Sequence, residues 1–200
     1  MSNQTPPIKK AVIVFLVSLC WIGVNAQFIK ERRLNAKIGY GLSFAENSVD
    51  DAFSDGLYLQ GEYVLKVTSW VAFKPYGGLL LTSKKGKTFD DAPTNEVASS
   101  KALLLGGKIR VRAPIPYVAP YFEIGIGTSI GRFETLNAVD AIRKNGVIYH
   151  VPFSIGVELG RRNTVDFGFT YYVQPSVGQI AGAMAIGVSI PLARSNKNNE

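Results

Sequence analysis

The sequence predicts an all-β fold: an eight-stranded antiparallel up-and-down transmembrane β-barrel. Three observations predict it. Beyond the first 26 residues, eight segments alternate apolar and polar side chains with a period of two, the period of a strand. The connections between those segments alternate between long and short. The polar positions carry glycine, alanine, serine and charge, a mixture that suits a narrow enclosed space better than a water-facing surface.

Composition agrees with strands. Of 200 residues, 46% are hydrophobic and only 18% charged, so the chain is not a disordered polymer. It has 11 Phe, 9 Tyr and 20 Gly, which favours strands punctuated by turns over helices.

Residues 1–26 read as a signal peptide. Lys9 and Lys10 supply the positive end, "AVIVFLVSLCWIGV" an apolar core of 14 residues, and Ala26 a small residue before a cleavage point. That core is too short to span a bilayer comfortably as a helix. Cys20, the chain's only cysteine, lies inside it behind a large Leu19, which does not suit lipid attachment. The exported chain then has no disulfide, and its stability must come from elsewhere. Losing Lys9 and Lys10 leaves 20 basic residues against 15 acidic ones, a spread-out excess of 5. No clustered basic motif argues for nucleic acid as a partner.

Residues 27–33 are expected to be a periplasmic lead, 34–192 the barrel and 193–200 a polar tail. The strands are expected near 34–45, 56–67, 70–82, 101–112, 117–130, 146–159, 164–174 and 183–192. In the first, Leu34, Ala36, Ile38, Tyr40, Leu42 and Phe44 oppose Lys37, Gly39, Gly41 and Ser43. In the fifth, Val118, Phe122, Ile124, Ile126 and Ile130 oppose Tyr121, Glu123, Gly125, Gly127 and Ser129. In the sixth, Tyr149, Val151, Phe153, Ile155, Val157 and Leu159 oppose His150, Ser154, Gly156 and Glu158. Each is long enough to cross a bilayer as a tilted strand of roughly 9–11 residues. Long connections follow strands one, three, five and seven; tight ones follow two, four and six. In outer-membrane barrels the tight turns face the periplasm. Pro120, Pro152 and Pro191 fall inside expected strands, so they must sit at ends or bulges. Trp70, Tyr117 and Tyr172 lie near strand ends, where interfacial girdles use aromatics, although ordinary strand packing also uses them.

Sidedness follows from the small residues. Gly39, Gly41, Gly106, Gly125, Gly127, Gly156, Gly168 and Gly187 share the polar side. An eight-stranded interior is filled by side chains and needs such residues. The polar side therefore faces in and the apolar side faces lipid. Lys37, Glu62, Lys66, Lys74, Lys108, Arg110, Arg112, Glu123, Glu158 and Asp166 also fall on the polar side. Enclosed charges must pair. The expected network joins Lys37, Glu62, Lys108, Arg110, Arg112, Glu123, His150, Glu158 and Asp166. The alternative is that Lys108, Arg110 and Arg112 line a solvated rim.

"WVAFKPYGGLLLTS", "APIPYVAPYFEIGIGTSIG", "YHVPFSIGVELGRRNTVDFGFTYYVQPS" and "AGAMAIGVSIPL" resemble the strands of small bacterial outer-membrane β-barrel proteins of the OmpA/OmpX kind, especially the Bacteroidetes type. The resemblance implies outer-membrane lipid and the outer-membrane insertion machinery as partners. It leaves activity open, because such barrels serve as anchors, adhesins, narrow pores or enzymes.

Candidate chemistry is sparse. His150, the only histidine, is followed by Ser154 and Glu158 at spacings of four. Along one strand these are about 13 Å apart, too far for a triad. Outer-membrane lipid A deacylases carry a serine two residues from the histidine; here that position is Pro152. One histidine and no exported cysteine leave no zinc set. Asp50, Asp51, Asp55, Asp90 and Asp91 lack the spacing of a calcium loop. No catalytic, metal or cofactor site is assigned. The expected protein is a monomeric outer-membrane barrel that acts through its loops, chiefly 83–100 and 131–145, on an unidentified extracellular ligand. A narrow solute channel, a soluble lipid-binding barrel and a hydrolase centred on His150 are the alternatives.

Overall fold

In a computed structural model the described residues are 29–45, 53–82, 97–136 and 141–192. They form β1 (Glu31–Ala45), β2 (Phe53–Lys66), β3 (Val71–Thr82), β4 (Val97–Arg112), β5 (Tyr117–Leu136), β6 (Ala141–Gly160), β7 (Val165–Gln174) and β8 (Gln179–Pro191). Each strand pairs antiparallel with its neighbours, and β8 pairs with β1 to close the barrel. Closure leaves no edge strand.

Registered partners run from Arg32 through Leu65, Phe73, Ile109, Ile124, Phe153, Tyr171 and Gly182 back to β1 at Leu42. The circuit returns 10 residues further along β1, from position 32 to position 42. A stagger of that size over eight strands tilts them by about 40°.

The parity read from the sequence is the parity of the structure. Ile38, Phe122, Ile124, Ile126, Phe153 and Ile155 point outward and are exposed, while Lys37, Glu123, Ser129, His150 and Ser154 point inward and are buried. Beyond Gln179 the inward face of β8 is small, with Ala181, Ala183, Ala185, Gly187 and Ser189. This leaves room for long side chains from the other walls. Tyr172 corrects the girdle expectation: it takes the inward parity of β7 and is fully buried, whereas Trp70 and Tyr117 are exposed.

Several strands are longer than expected. β1 begins at Glu31 inside the expected lead, because Glu31 registers with Lys66 and Arg33 turns inward, donating from Nη1 to the carbonyls of Arg162 and Asn163. β4 starts at Val97 and β8 at Gln179. The expected loop 131–145 is mostly ladder, with β5 running to Leu136 and β6 starting at Ala141. Its charged residues hide the strand period, yet backbone pairing needs no apolar face. The connection after β7 is likewise short: a 3-10 turn, Pro175–Val177, then Gly178 at φ 53. It tucks Val177, fully buried, into the mouth of the barrel. Expected loop 83–100 lies outside the described residues except for 97–100, which are strand.

The prolines sit where a missing donor is tolerated. Pro120 belongs to the first turn of the ladder, and its carbonyl accepts from the Ala113 amide just past the end of β4. At Pro152 the β5–β6 ladder is interrupted between its Ile124–Phe153 and Gly127–His150 pairs. Pro75, which sequence reading left out, falls at the matching interruption between β2 and β3. Pro191 ends β8.

Candidate functional site: an ion-paired lumen

Inward parity from seven strands brings the charges together. β1 supplies Lys37, β2 Glu62, β3 Lys74, β4 Lys108, Arg110 and Arg112, β5 Glu123, β6 Glu158 and β7 Asp166. Lys74 and Lys108 are direct register partners, two cations side by side in the interior. They are tolerable only because two carboxylates flank both of them. Glu62 contacts Lys74 and lies 2.8 Å from Lys108, and Glu123 lies 2.8 Å from each. Glu158 and Asp166 are direct partners too, and Arg110 bridges that like-charged pair. Its Nη1 reaches Glu158 at 2.5 Å, its Nη2 reaches Asp166 at 2.8 Å and its Nε donates to Glu123 at 2.5 Å. The guanidinium, with five donors fixed in a planar fork, serves three acids at once in this way.

Lys37 closes the circuit, 3.1 Å from Asp166 and 3.5 Å from Glu62. Arg112 is the rim member of its strand, 2.6 Å from Glu158 and donating from Nε to the Ser69 carbonyl in the β2–β3 turn. Lys108 and Arg110 are not at a rim; their side chains are 0% and 2% exposed. Below the network, Glu31 pairs with Arg33 at 2.6 Å and Lys66 at 2.9 Å.

Tyr121 ties this layer to the wall. The Arg110 guanidinium lies 3.5 Å over its ring, and its hydroxyl donates to Asp166 at 2.8 Å. The ring crosses Gly156 and Gly168, where a methyl group would overlap the Tyr121 hydroxyl. Tyr76 crosses Gly106 and Gly127 in the same manner. These four inward glycines are therefore seats for aromatic rings, while Gly125 and Gly187 lie against the stems of Lys108 and Lys37.

His150 stands one layer above the ion pairs rather than among them, which corrects its expected membership. It forms no ion pair among the described residues. Nε2 meets the Tyr76 hydroxyl at 2.5 Å and Nδ1 meets the Ser129 hydroxyl at 2.7 Å. The Tyr172 ring packs edge-on at 5.2 Å. Its partners are thus hydroxyls and not carboxylates. Ser154 bonds Thr170 at 2.9 Å and Glu158 bonds the arginines, so the sequence triad is dispersed. The serine beside the imidazole is Ser129, on the neighbouring strand. Sequence spacing could not reveal it; inward parity and register together do. Tyr58, Tyr172 and Gln60 complete this layer, with Tyr58 and Tyr172 hydroxyls 2.7 Å apart. Leu80, Leu104 and Ile148 lie buried above it, with Val177.

Taken together, these features define a closed eight-stranded up-and-down barrel with an apolar exterior and a filled, ionic lumen. No family model matches the chain, and no curated protein matches it by sequence. Among solved structures it is similar to Neisserial surface protein A, at 11% identity and TM-score 0.55, covering 80% of this chain and 97% of that one. Weaker similarity links it to Ail, the attachment invasion locus protein of Yersinia pestis, at 13% identity and TM-score 0.46, covering 80% of this chain and 99% of that one. The outer membrane enzyme PagL gives 13% identity and TM-score 0.44, with coverage of 80% and 99%. At these identities the likeness is one of fold.

Proposed function

We propose that the protein is an exported, monomeric, integral barrel of the bacterial outer membrane, non-enzymatic and closed to bulk solute, that displays recognition segments above a rigid ionic plug. The observation that carries this reading is the inversion of its surfaces: Ile126 is 70% exposed on the outside while Glu123, Lys74 and Lys108 are 0% exposed inside. An exterior of that kind matches hydrocarbon, and closure of the ladder satisfies the backbone without water. The turns at 67–70, 113–116 and 161–164 would face the periplasm, next to the ends of β1 and β8. The opposite end would carry the connections at 46–52, 83–96 and 137–140, and loops on a rigid scaffold are where binding residues collect. Residues 1–26 would be the cleaved leader, and the insertion machinery of the outer membrane a transient partner. The finer kinship with OmpA/OmpX-like, Bacteroidetes-type barrels rests on the sequence resemblance alone.

The filled lumen supports a scaffold over a channel. The sealed position of Ser129 and His150, both 0% exposed, argues against hydrolysis there, since a nucleophile must meet its substrate. Purified protein in detergent should migrate differently on gel electrophoresis before and after heating, and should give no conductance steps in a planar bilayer. Unchanged migration together with extraction by detergent-free buffer would reject the membrane reading. Steady conductance would reject the plug.

A further inference from the structure

The outward faces of β4, β5 and β6 change character along one line. On β4 the outward residues Val111, Ile109, Gly107, Leu105 and Leu103 are followed by Lys101. On β5 the outward series from Phe122 through Ile130 is followed by Arg132. On β6 the series from Ile155 back through Val147 is followed by Asn145 and then Arg143. Lys101 registers with Arg132, and Arg132 registers with Asn145. The three polar residues thus form one cross-strand row, with Arg143 one outward position beyond it. All four are exposed.

The height of that row is informative. Val111, Phe122 and Ile155 form a registered row at the other end. Ten residues separate the two rows on each strand: 111 to 101, 122 to 132 and 155 to 145. At about 3.3 Å per residue and a tilt of about 40°, the rows are roughly 25 Å apart along the barrel axis, the height of the apolar band of an outer-membrane barrel. Lys101, Arg132 and Arg143 therefore emerge at the plane where hydrocarbon gives way to headgroups.

The charge is one-sided. β8 presents Ile190, Val188, Ile186, Met184, Gly182 and Ile180 over a comparable length, with no outward charge. β7 presents Val165, Phe167, Phe169, Tyr171 and Val173. At the same end of β1 and β2 the outward charged group is Asp55, which accepts from the Tyr40 hydroxyl at 2.5 Å, and Arg32 lies at the opposite end of β1. Lys101, Arg132 and Arg143 form no ion pair among the described residues; Glu134, register partner of Arg143, is the acid on this wall. Among the described residues, three outward cations thus stand against one outward acid at this end of the wall.

Resting on the membrane reading above, we propose that Lys101, Arg132 and Arg143, with Asn145 as a neutral donor, bind the phosphorylated headgroup of an outer-leaflet glycolipid. Arginine suits phosphate because its fork donates two parallel hydrogen bonds. The acyl chains would lie against the apolar columns directly below.

The test uses the full exported chain, reconstituted in phosphatidylcholine nanodiscs with an equal small fraction of either lipid A or phosphatidylglycerol. Native mass spectrometry, after release into mild detergent, counts retained lipid. Wild-type protein should retain lipid A over phosphatidylglycerol. A K101Q/R132Q/R143Q variant should lose at least about tenfold of that retention, given roughly fivefold per basic group beside an anionic lipid surface. Arg32→Gln, at the opposite end of the outer face, should leave it unchanged. Equal retention by wild type and the triple variant would overturn the site, as would wild-type retention of phosphatidylglycerol equal to that of lipid A. Heat-dependent gel migration is read on the same samples. If wild type lacks it, the membrane reading itself fails; if only the triple variant lacks it, single substitutions R132Q and R143Q replace it, and unchanged retention in both would overturn the site.

Discussion

Glu123 offers the sharpest test of how the lumen is stabilised. It lies 2.8 Å from Lys74, 2.8 Å from Lys108 and 2.5 Å from Arg110, with no exposed side-chain surface. Glu123→Gln keeps the shape and removes the charge. Each of the three cations keeps another acid: Glu62 for both lysines, and Glu158 with Asp166 for Arg110. The loss should therefore be that of breaking one buried pair, about 3–5 kcal/mol, and not a multiple of it. Lys74→Met is the informative contrast. The network holds five cations, Lys37, Lys74, Lys108, Arg110 and Arg112, against four carboxylates, Glu62, Glu123, Glu158 and Asp166. Removing Lys74 balances the charges, leaves every acid with a cation and fills the volume with a flexible apolar chain. It should cost no more than about 1–2 kcal/mol. Urea unfolding in phospholipid vesicles, followed by heat-dependent migration and Trp70 fluorescence, measures both. If Lys74→Met proves as damaging as Glu123→Gln, charge balance does not govern this core.

Two further expectations follow from the packing and the sidedness. A methyl at Gly168 would overlap the Tyr121 hydroxyl, so Gly168→Ala should destabilise by about 1–3 kcal/mol. In a Tyr121→Phe background the penalty should largely vanish, and a double-mutant cycle showing no coupling would refute the ring-over-glycine account. Single cysteines at Ile124 and Phe153 should resist a charged, water-borne maleimide in vesicles and react with a membrane-soluble one, while a cysteine at Ile115, exposed in the β4–β5 turn, should react with both. Free labelling of Ile124→Cys or Phe153→Cys by the charged reagent in folded protein would turn the barrel inside out.

What was legible in the sequence was parity. Lys108, Arg110 and Arg112 share a face in any strand, and Gly125 and Gly127 opposite Ile124 and Ile126 point to a crowded side. Parity does not give height or register, and both decide the chemistry. That Lys74 lies beside Lys108, and Glu158 beside Asp166, depends on which residue of one strand meets which residue of the next. A slip of two residues would preserve every alternation in the sequence and break the bridges between the slipped strands. The Ser129–His150 contact was invisible for the same reason: it spans two strands at positions two steps off register, since Ser129 pairs with Ile148 and His150 with Gly127.

The strand ends carry the complementary lesson. On the proposed membrane reading, alternation of oily and small side chains stops where hydrocarbon stops, so it follows the membrane and not the ladder. β5 and β6 continue as paired backbone through Arg132, Glu134, Arg143 and Lys144, which read as loop because water accepts any side chain on either face. The same holds at Glu31–Arg33, read as a lead and found in the ladder. The residues that break the period therefore mark the two planes at which a membrane protein meets headgroups. On the proposed membrane reading the upper plane is set by the registered row Lys101, Arg132 and Asn145, so the point where the alternation ends is also the point where an interaction with lipid phosphate becomes physically possible.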